Sequence, residues 1–275
     1  MSTVDFETVI LEFPAEGVAW ITLNRPKHGN AVTPELVREL MAALDRVDSN
    51  PSLRVLVLTG AGRNFCAGAD LPEMKAYIET QLSRLEEPYN ARILHPLTHR
   101  LATFALPTIA AVNGAATAGG LDLSLACDMR IAAERARFGE TYINLGLAPG
   151  NGGAYFLPRL VGSAISAELA FLGEIIDAPR ALELGLINKI VPDHLLCDAT
   201  LEFAQRIAAK PRKALMATKQ LLRAGWHTDL ISSLAMSYWT TSTLQNTADF
   251  REGVNAALEK RPPQYNRFPE PDSDK

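Results

Sequence analysis

Asp122 has the most unusual setting in this sequence. It lies in Gly119-Gly120-Leu121-Asp122-Leu123-Ser124-Leu125-Ala126-Cys127, an otherwise apolar run that opens like a helix. A carboxylate there has two readings, and the residues leave both open. It is a first-turn acid favoured by the helix dipole, or a buried acid that desolvation keeps protonated. The preceding Gly119-Gly120 pair bares backbone N–H groups at a helix N-terminus, where partial positive charge suits an anion. The stretch lacks the G-x-G-x-x-G spacing of a dinucleotide site, and Thr59-Gly60-Ala61-Gly62-Arg63 lacks the Lys-Ser/Thr ending of a phosphate loop.

Two further loops share this character. In Phe65-Cys66-Ala67-Gly68-Ala69-Asp70-Leu71-Pro72-Glu73, small residues let a ligand approach the backbone, and Asp70 is placed to cap the next helix. The third loop, residues 138–153, carries Glu140, Tyr142 and Gly150 among several glycines. Tyr142 alone reads as packing or as a hydrogen-bonding group. Two backbone N–H groups from separate loops could converge on one carbonyl oxygen. Such an oxyanion hole stabilises an enolate or a tetrahedral intermediate, at about 3–4 kcal/mol per donor.

The surrounding pattern shows what must position these loops. Residues 9–13 and 18–23 read as a hairpin of strands around Pro14-Ala15-Glu16-Gly17. Thr33-Pro34-Glu35-Leu36 opens a helix, with Thr33 as N-cap and Pro34 in the first helical position. Residues 55–59, 108–112 and 129–133 are continuous apolar runs of the kind buried on both sheet faces. Helical segments at 72–84, 90–104, 119–127 and 152–160 alternate with them, which predicts an α/β fold with mostly parallel strands. Beyond residue 163 helices dominate, at 163–172, 178–184, 193–209, 211–223, 228–245 and 247–260, with one short strand at 187–191. The expected division is an α/β core over 1–195 and a helical region over 196–275.

Composition excludes several function classes. The chain has 275 residues, 47% hydrophobic and 21% charged, as in ordinary globular proteins. A net charge of −4 gives no basic footprint for nucleic acid. No apolar run approaches the roughly 20 residues of a membrane span. Residues 1–7 hold two acids and no base, unlike a signal or transit peptide, and the expected location is cytoplasmic. Cys66, Cys127 and Cys197 are too few and too scattered for a disulfide framework or a thiolate metal site. His95 and His99 could share a helix face, but no acid-rich zinc motif surrounds them, so no metal is expected. Without a Gly-x-Ser-x-Gly elbow, a serine hydrolase is disfavoured.

The ordered motifs resemble the crotonase superfamily, the enoyl-CoA hydratase/isomerase family. They are Leu23-Asn24-Arg25-Pro26 with Asn30-Ala31, the loop from Phe65 to Leu71, Ala111-Val112-Asn113-Gly114 with Gly119-Gly120, and Leu125-Ala126-Cys127-Asp128. Gly146-Leu147-Ala148-Pro149-Gly150, Ala181-Leu182-Glu183-Leu184-Gly185-Leu186-Ile187 and Glu259-Lys260-Arg261-Pro262 complete the series. The resemblance implies a crotonase-like spiral of ββα repeats followed by a helical trimerisation region, assembled as a homotrimer or a dimer of trimers. It implies an acyl-CoA substrate and no cofactor beyond the coenzyme A that the substrate carries. By the same resemblance the oxyanion donors are the N–H groups of Ala69 and Gly119. Arg25, Lys27 and Lys260 match positions near the CoA phosphates and adenosine, and Ala67, Asp70 and Leu71 border the adenine and pantetheine channel.

The chain also departs from the family pattern. Two glutamates of typical hydratases are matched by Asp122, one methylene shorter, and by Tyr142, which is no carboxylate. Glu140 is a candidate substitute for the missing acid. Gly150 stands where dehalogenase-type members carry a nucleophilic aspartate, and Ala257 where an aromatic residue often precedes the position of Lys260. The leading expectation is hydration or dehydration of an enoyl-CoA, with Asp122 as general acid/base and Tyr142 as a hydrogen-bond donor or substrate-orienting group. The alternatives are hydrolysis or C–C cleavage of a modified acyl-CoA on the same scaffold, and CoA binding with little turnover. By the same resemblance segment 72–95 borders the acyl pocket, and Met74, Tyr77, Ile78, Leu82, Leu85 and Tyr89 there read as a sizeable apolar pocket or as plain core.

Overall fold

The computed structural model describes residues 3–81 and 89–266; for 3–5, 80–81 and 89–93 only the backbone elements are described. The strands are β1 (Thr3–Asp5), β2 (Val9–Ala15), β3 (Val18–Leu23), β4 (Val55–Gly60), β5 (Asn64–Cys66), β6 (Thr108–Val112), β7 (Ala115–Thr117), β8 (Met129–Ala133), β9 (Arg137–Gly139), β10 (Ile175–Asp177) and β11 (Lys189–Val191). The helices of the first half are α1 (Pro34–Asp48), α2 (Leu71–Gln81), α3 (Tyr89–Ala102), α4 (Gly119–Ala126) and α5 (Gly153–Val161). Those that follow are α6 (Ser163–Leu172), α7 (Ala178–Glu183), α8 (Leu196–Ala208), α9 (Arg212–Ala224), α10 (Leu230–Gln245) and α11 (Ala248–Leu258).

The long apolar runs form one seven-stranded sheet in the order β1-β2-β3-β4-β6-β8-β11. From β3 onward its strands are parallel. Alternation divides each central strand between two cores. Leu56 and Leu58 join the side that packs on α1, α3 and α4, while Val55 and Val57 join the side covered by Leu196, Ala204 and Ala208 of α8. Burial on both faces is why these strands are uniformly apolar. In α1, Leu36, Leu40, Ala43, Leu44 and Val47 face the core at helical spacing, and Thr33 Oγ1 accepts the Leu36 N–H at 3.2 Å as the expected N-cap.

A second sheet was not legible in the sequence. Its four strands have three residues each and run in the order β10-β9-β7-β5. β5, β7 and β9 are mutually parallel, so their C-terminal ends share one edge. Among the described residues no helix is long and apolar enough to cross a membrane.

Candidate active site

Each of the three loops singled out above leaves the C-terminal end of one strand of the small sheet, the edge where α/β folds place ligands. β5 leads into Ala67–Asp70, β7 into Ala118 and Gly119, and β9 into Glu140–Tyr142. In the first loop the Val32 N–H donates to Gly68 O at 2.7 Å, and the Asp70 N–H to Val32 O at 3.3 Å. This bridge turns the Ala69 N–H to the opposite side. In the second loop Ala118 has φ +47°, ψ −121°, a conformation costly for a residue with a Cβ. Its N–H is anchored on Gly139 O at 2.9 Å, and the next residue, Gly119, begins α4 with its N–H uncommitted.

Glycine is required where these loops touch. Gly68 has φ +90°, and a side chain there would start 3.3 Å from Gly119 N. One at Gly120 would collide with the Cys66 carbonyl. Ala69 and Gly119 both line one cavity of about 490 Å³, together with His28, Met74, Tyr142 and Asn151.

A buried polar network begins at the cavity-lining Tyr142. Tyr142 sits in a short 3₁₀ turn, Thr141–Leu145, and is 5% exposed. Its hydroxyl donates to Asp122 Oδ2 at 2.6 Å and accepts from Asn151 Nδ2 at 2.6 Å. A side chain on Gly119 would start 3.5 Å from that hydroxyl, so one candidate oxyanion donor and the tyrosine oxygen are neighbours. Asp122 is 0% exposed and does not line the cavity; Tyr142 stands between. Both sequence readings hold, since Asp122 lies in the first turn of α4 and is also fully buried.

Burial pushes the Asp122 carboxyl up to about 7; the Tyr142 hydroxyl and the nearby Asn151 and Gly153 backbone N–H groups oppose part of that rise. Glu140, 1% exposed, lies behind the same wall. Burial, and then the charge on Asp122, push it up to about 9. The Tyr142 hydroxyl is also pushed upward, by burial first and then by Asp122, so a tyrosinate is strongly disfavoured.

The remaining expected site residues fall in different places. Ala67, Asp70 and Leu71 line the cavity. The Arg25 guanidinium is already engaged, by Asp70 Oδ2 at 3.0 Å and by Ala31 O at 2.6 Å. Its neighbour Lys27 is exposed beside the cavity-lining His28. Lys260, exposed after α11 with φ +53°, lies outside the cavity. Of the expected acyl-pocket residues Met74 lines the cavity and Ile78 is 45% exposed. Leu82 and Leu85, and the side chain of Tyr89, lie outside the described residues.

Asn151 was missed as a site residue; a lone amide inside Gly150-Asn151-Gly152-Gly153 was the available signal. Asn30 and Asn113, present in the sequence only as parts of motifs, tie their loops to the turn between β4 and β5. Asn30 Nδ2 donates to Ala61 O and Asn64 O, and Asn113 Nδ2 donates to Gly62 O and Asn64 O.

Known proteins share the sequence and the fold along nearly the whole chain. The family model described as enoyl-CoA hydratase/isomerase matches residues 14–268. A probable enoyl-CoA hydratase of Rhodobacter capsulatus is 39% identical, over 95% of this chain and 99% of its own. A 1,2-epoxyphenylacetyl-CoA isomerase of Escherichia coli is 37% identical, over 93% and 97%. A crystal structure of an enoyl-CoA hydratase from Bacillus anthracis superposes with a TM-score of 0.90 at 36% identity, covering 95% of this chain and 100% of that one. With these matches along nearly its whole length, the chain belongs to the enoyl-CoA hydratase/isomerase family.

Proposed function

We propose that this protein moves a proton reversibly at the carbon next to the carbonyl of an enoyl-CoA thioester, in hydratase/isomerase chemistry, through Tyr142 and Asp122. The thioester oxygen accepts the Ala69 and Gly119 N–H groups, which stabilise the enolate as charge develops on that oxygen. Removing a substrate proton places it on the Tyr142 oxygen while the tyrosine proton passes to Asp122 Oδ2. Adding a proton reverses both transfers. The relay is concerted because burial and Asp122 disfavour a free tyrosinate. Asp122, raised to about 7, can both take and return a proton near neutral pH. Asn151 holds the tyrosine oxygen from its other side. The observation that carries this reading is the 2.6 Å Tyr142–Asp122 hydrogen bond beside Gly119.

Asp122 therefore acts through Tyr142 and does not touch the substrate directly, a refinement of the sequence-based expectation. Lys27 is the base we assign to the CoA phosphates. Arg25, engaged by Asp70, holds the Ala69 loop. Lys260, outside the cavity of its own chain, is left to contacts made in an assembled protein. The exposed apolar face of α10 supports assembly as a homotrimer or dimer of trimers. Three cysteines without disulfide partners fit a cytoplasmic location.

The test is turnover of an enoyl-CoA panel by wild type and Asp122→Asn, with products weighed by mass spectrometry. A product heavier by one water indicates hydration, and an unchanged mass with a shifted double bond indicates isomerisation. Asp122→Asn is expected to lose roughly 100-fold or more in kcat. Equal rates for the two proteins remove Asp122 from the mechanism.

A further inference from the structure

Glu140 is a buried acid that the relay above does not use. Among the described residues both of its carboxyl oxygens are fully buried without a hydrogen-bond partner, and so is Asp122 Oδ1. These three orphaned acceptors are neighbours: a side chain at Gly153 would collide with Glu140 Oε1 and Asp122 Oδ1 together. Two ionised carboxylates only accept, and cannot satisfy each other. A single proton changes that, because a protonated Glu140 can donate to Asp122 Oδ1.

We infer that Glu140 is a positioning residue that stays protonated and shares its proton with Asp122 Oδ1, which aims the other oxygen, Oδ2, at the Tyr142 hydroxyl. This rests on the reading of Tyr142 and Asp122 as the proton relay. The electrostatic surroundings agree. The titratable groups that bear on Glu140 and Asp122 are each other, from β9's loop and from α4, and Tyr142 from the 3₁₀ turn. The start of α5 contributes backbone N–H groups from Asn151 and Gly153 and no cation. Burial raises both acids, and the charge on one raises the other, so the pair favours holding one proton between them. Gly153 is what makes room for the pair at the head of α5.

Two variants and two readouts test the inference. Glu140→Gln preserves shape and can still donate to Asp122 Oδ1, while Glu140→Leu cannot. Infrared difference spectra taken at a pH between about 7 and about 9, where Asp122 is ionised and Glu140 is not, should show one buried protonated carboxyl in wild type that is absent from Glu140→Gln. This measurement needs no turnover. In kinetics, Glu140→Gln should keep kcat close to wild type at neutral pH but lose the alkaline limb of the pH profile. Glu140→Leu should lose about tenfold or more in kcat with KM little changed. No protonated-carboxyl band in wild type, or the same band in Glu140→Gln, overturns the inference, as does wild-type kcat in Glu140→Leu. If the band behaves as expected but no enoyl-CoA is turned over, the shared proton stands and the proposed function fails.

Discussion

Asp122 and Glu140 are costly residues to bury, and the cost has a defined pH dependence. Both have folded-state pKa values raised by burial, to about 7 and about 9. The folded protein therefore prefers their neutral forms. The stability that goes with neutral carboxyls is fully present below the ordinary carboxylate range near pH 4, and it is lost as pH rises through about 7 and then about 9. Glu140→Gln removes one of these ionisations. Its melting temperature should match wild type near pH 5 and exceed it by about 3 °C or more at pH 9. A margin independent of pH would show that Glu140 does not ionise inside the fold. At this scale the sequence exposed a carboxylate in an apolar run but not its direction. Whether Asp122 faced the ligand or the core depended on Tyr142, and the 3₁₀ turn that aims Tyr142 has no periodic signature.

At the scale of elements, the small sheet sets the site, because it brings three loops to one edge. Three-residue strands are too short to show a two-residue period, so only the glycines at their ends announced the loops. The long strands and the helices were legible because their burial is continuous or periodic. Asp70 ties the first loop together. It accepts from Arg25 through Oδ2 and caps α2 through Oδ1, which takes the Glu73 N–H at 3.3 Å. Asp70→Ala removes both bonds next to Ala69, whereas Asp70→Asn keeps an acceptor for the cap. The alanine variant should lose about 1 kcal/mol or more in denaturant unfolding and about tenfold in kcat. The asparagine variant should lose less of both. Unchanged kcat in Asp70→Ala would mean that the loop holds Ala69 without this anchor.

The whole molecule carries its helical region in two parts. α8 closes the second face of the large sheet and belongs to the core, although the sequence places it with the helices after residue 195. α10, in contrast, has no buried residue, and Leu230, Ile231, Leu234, Tyr238 and Trp239 are 60–81% exposed. Tyr238 and Trp239 pack on each other edge to face at 5.3 Å rather than into a core. An apolar face of this extent is expected to meet another copy of the chain. Light scattering should give a trimer or hexamer for wild type and a smaller species for Leu234→Asp with helical content intact. A wild-type monomer would refute assembly through this face. The net charge of −4 does not conflict with the proposed anionic CoA ligand, since a local base such as Lys27, exposed next to the cavity-lining His28, is enough to meet it.

In the proposed relay the Tyr142 hydroxyl, backed by Asp122, carries the proton to and from the carbon beside the thioester. The most direct measurement is incorporation of solvent deuterium at that carbon, followed by NMR in D₂O with a saturated or 3-hydroxyacyl-CoA. Wild type should exchange that proton, and Tyr142→Phe, which keeps the ring and removes only the hydroxyl, should slow exchange by roughly 100-fold or more. Exchange at the wild-type rate in Tyr142→Phe would contradict the relay.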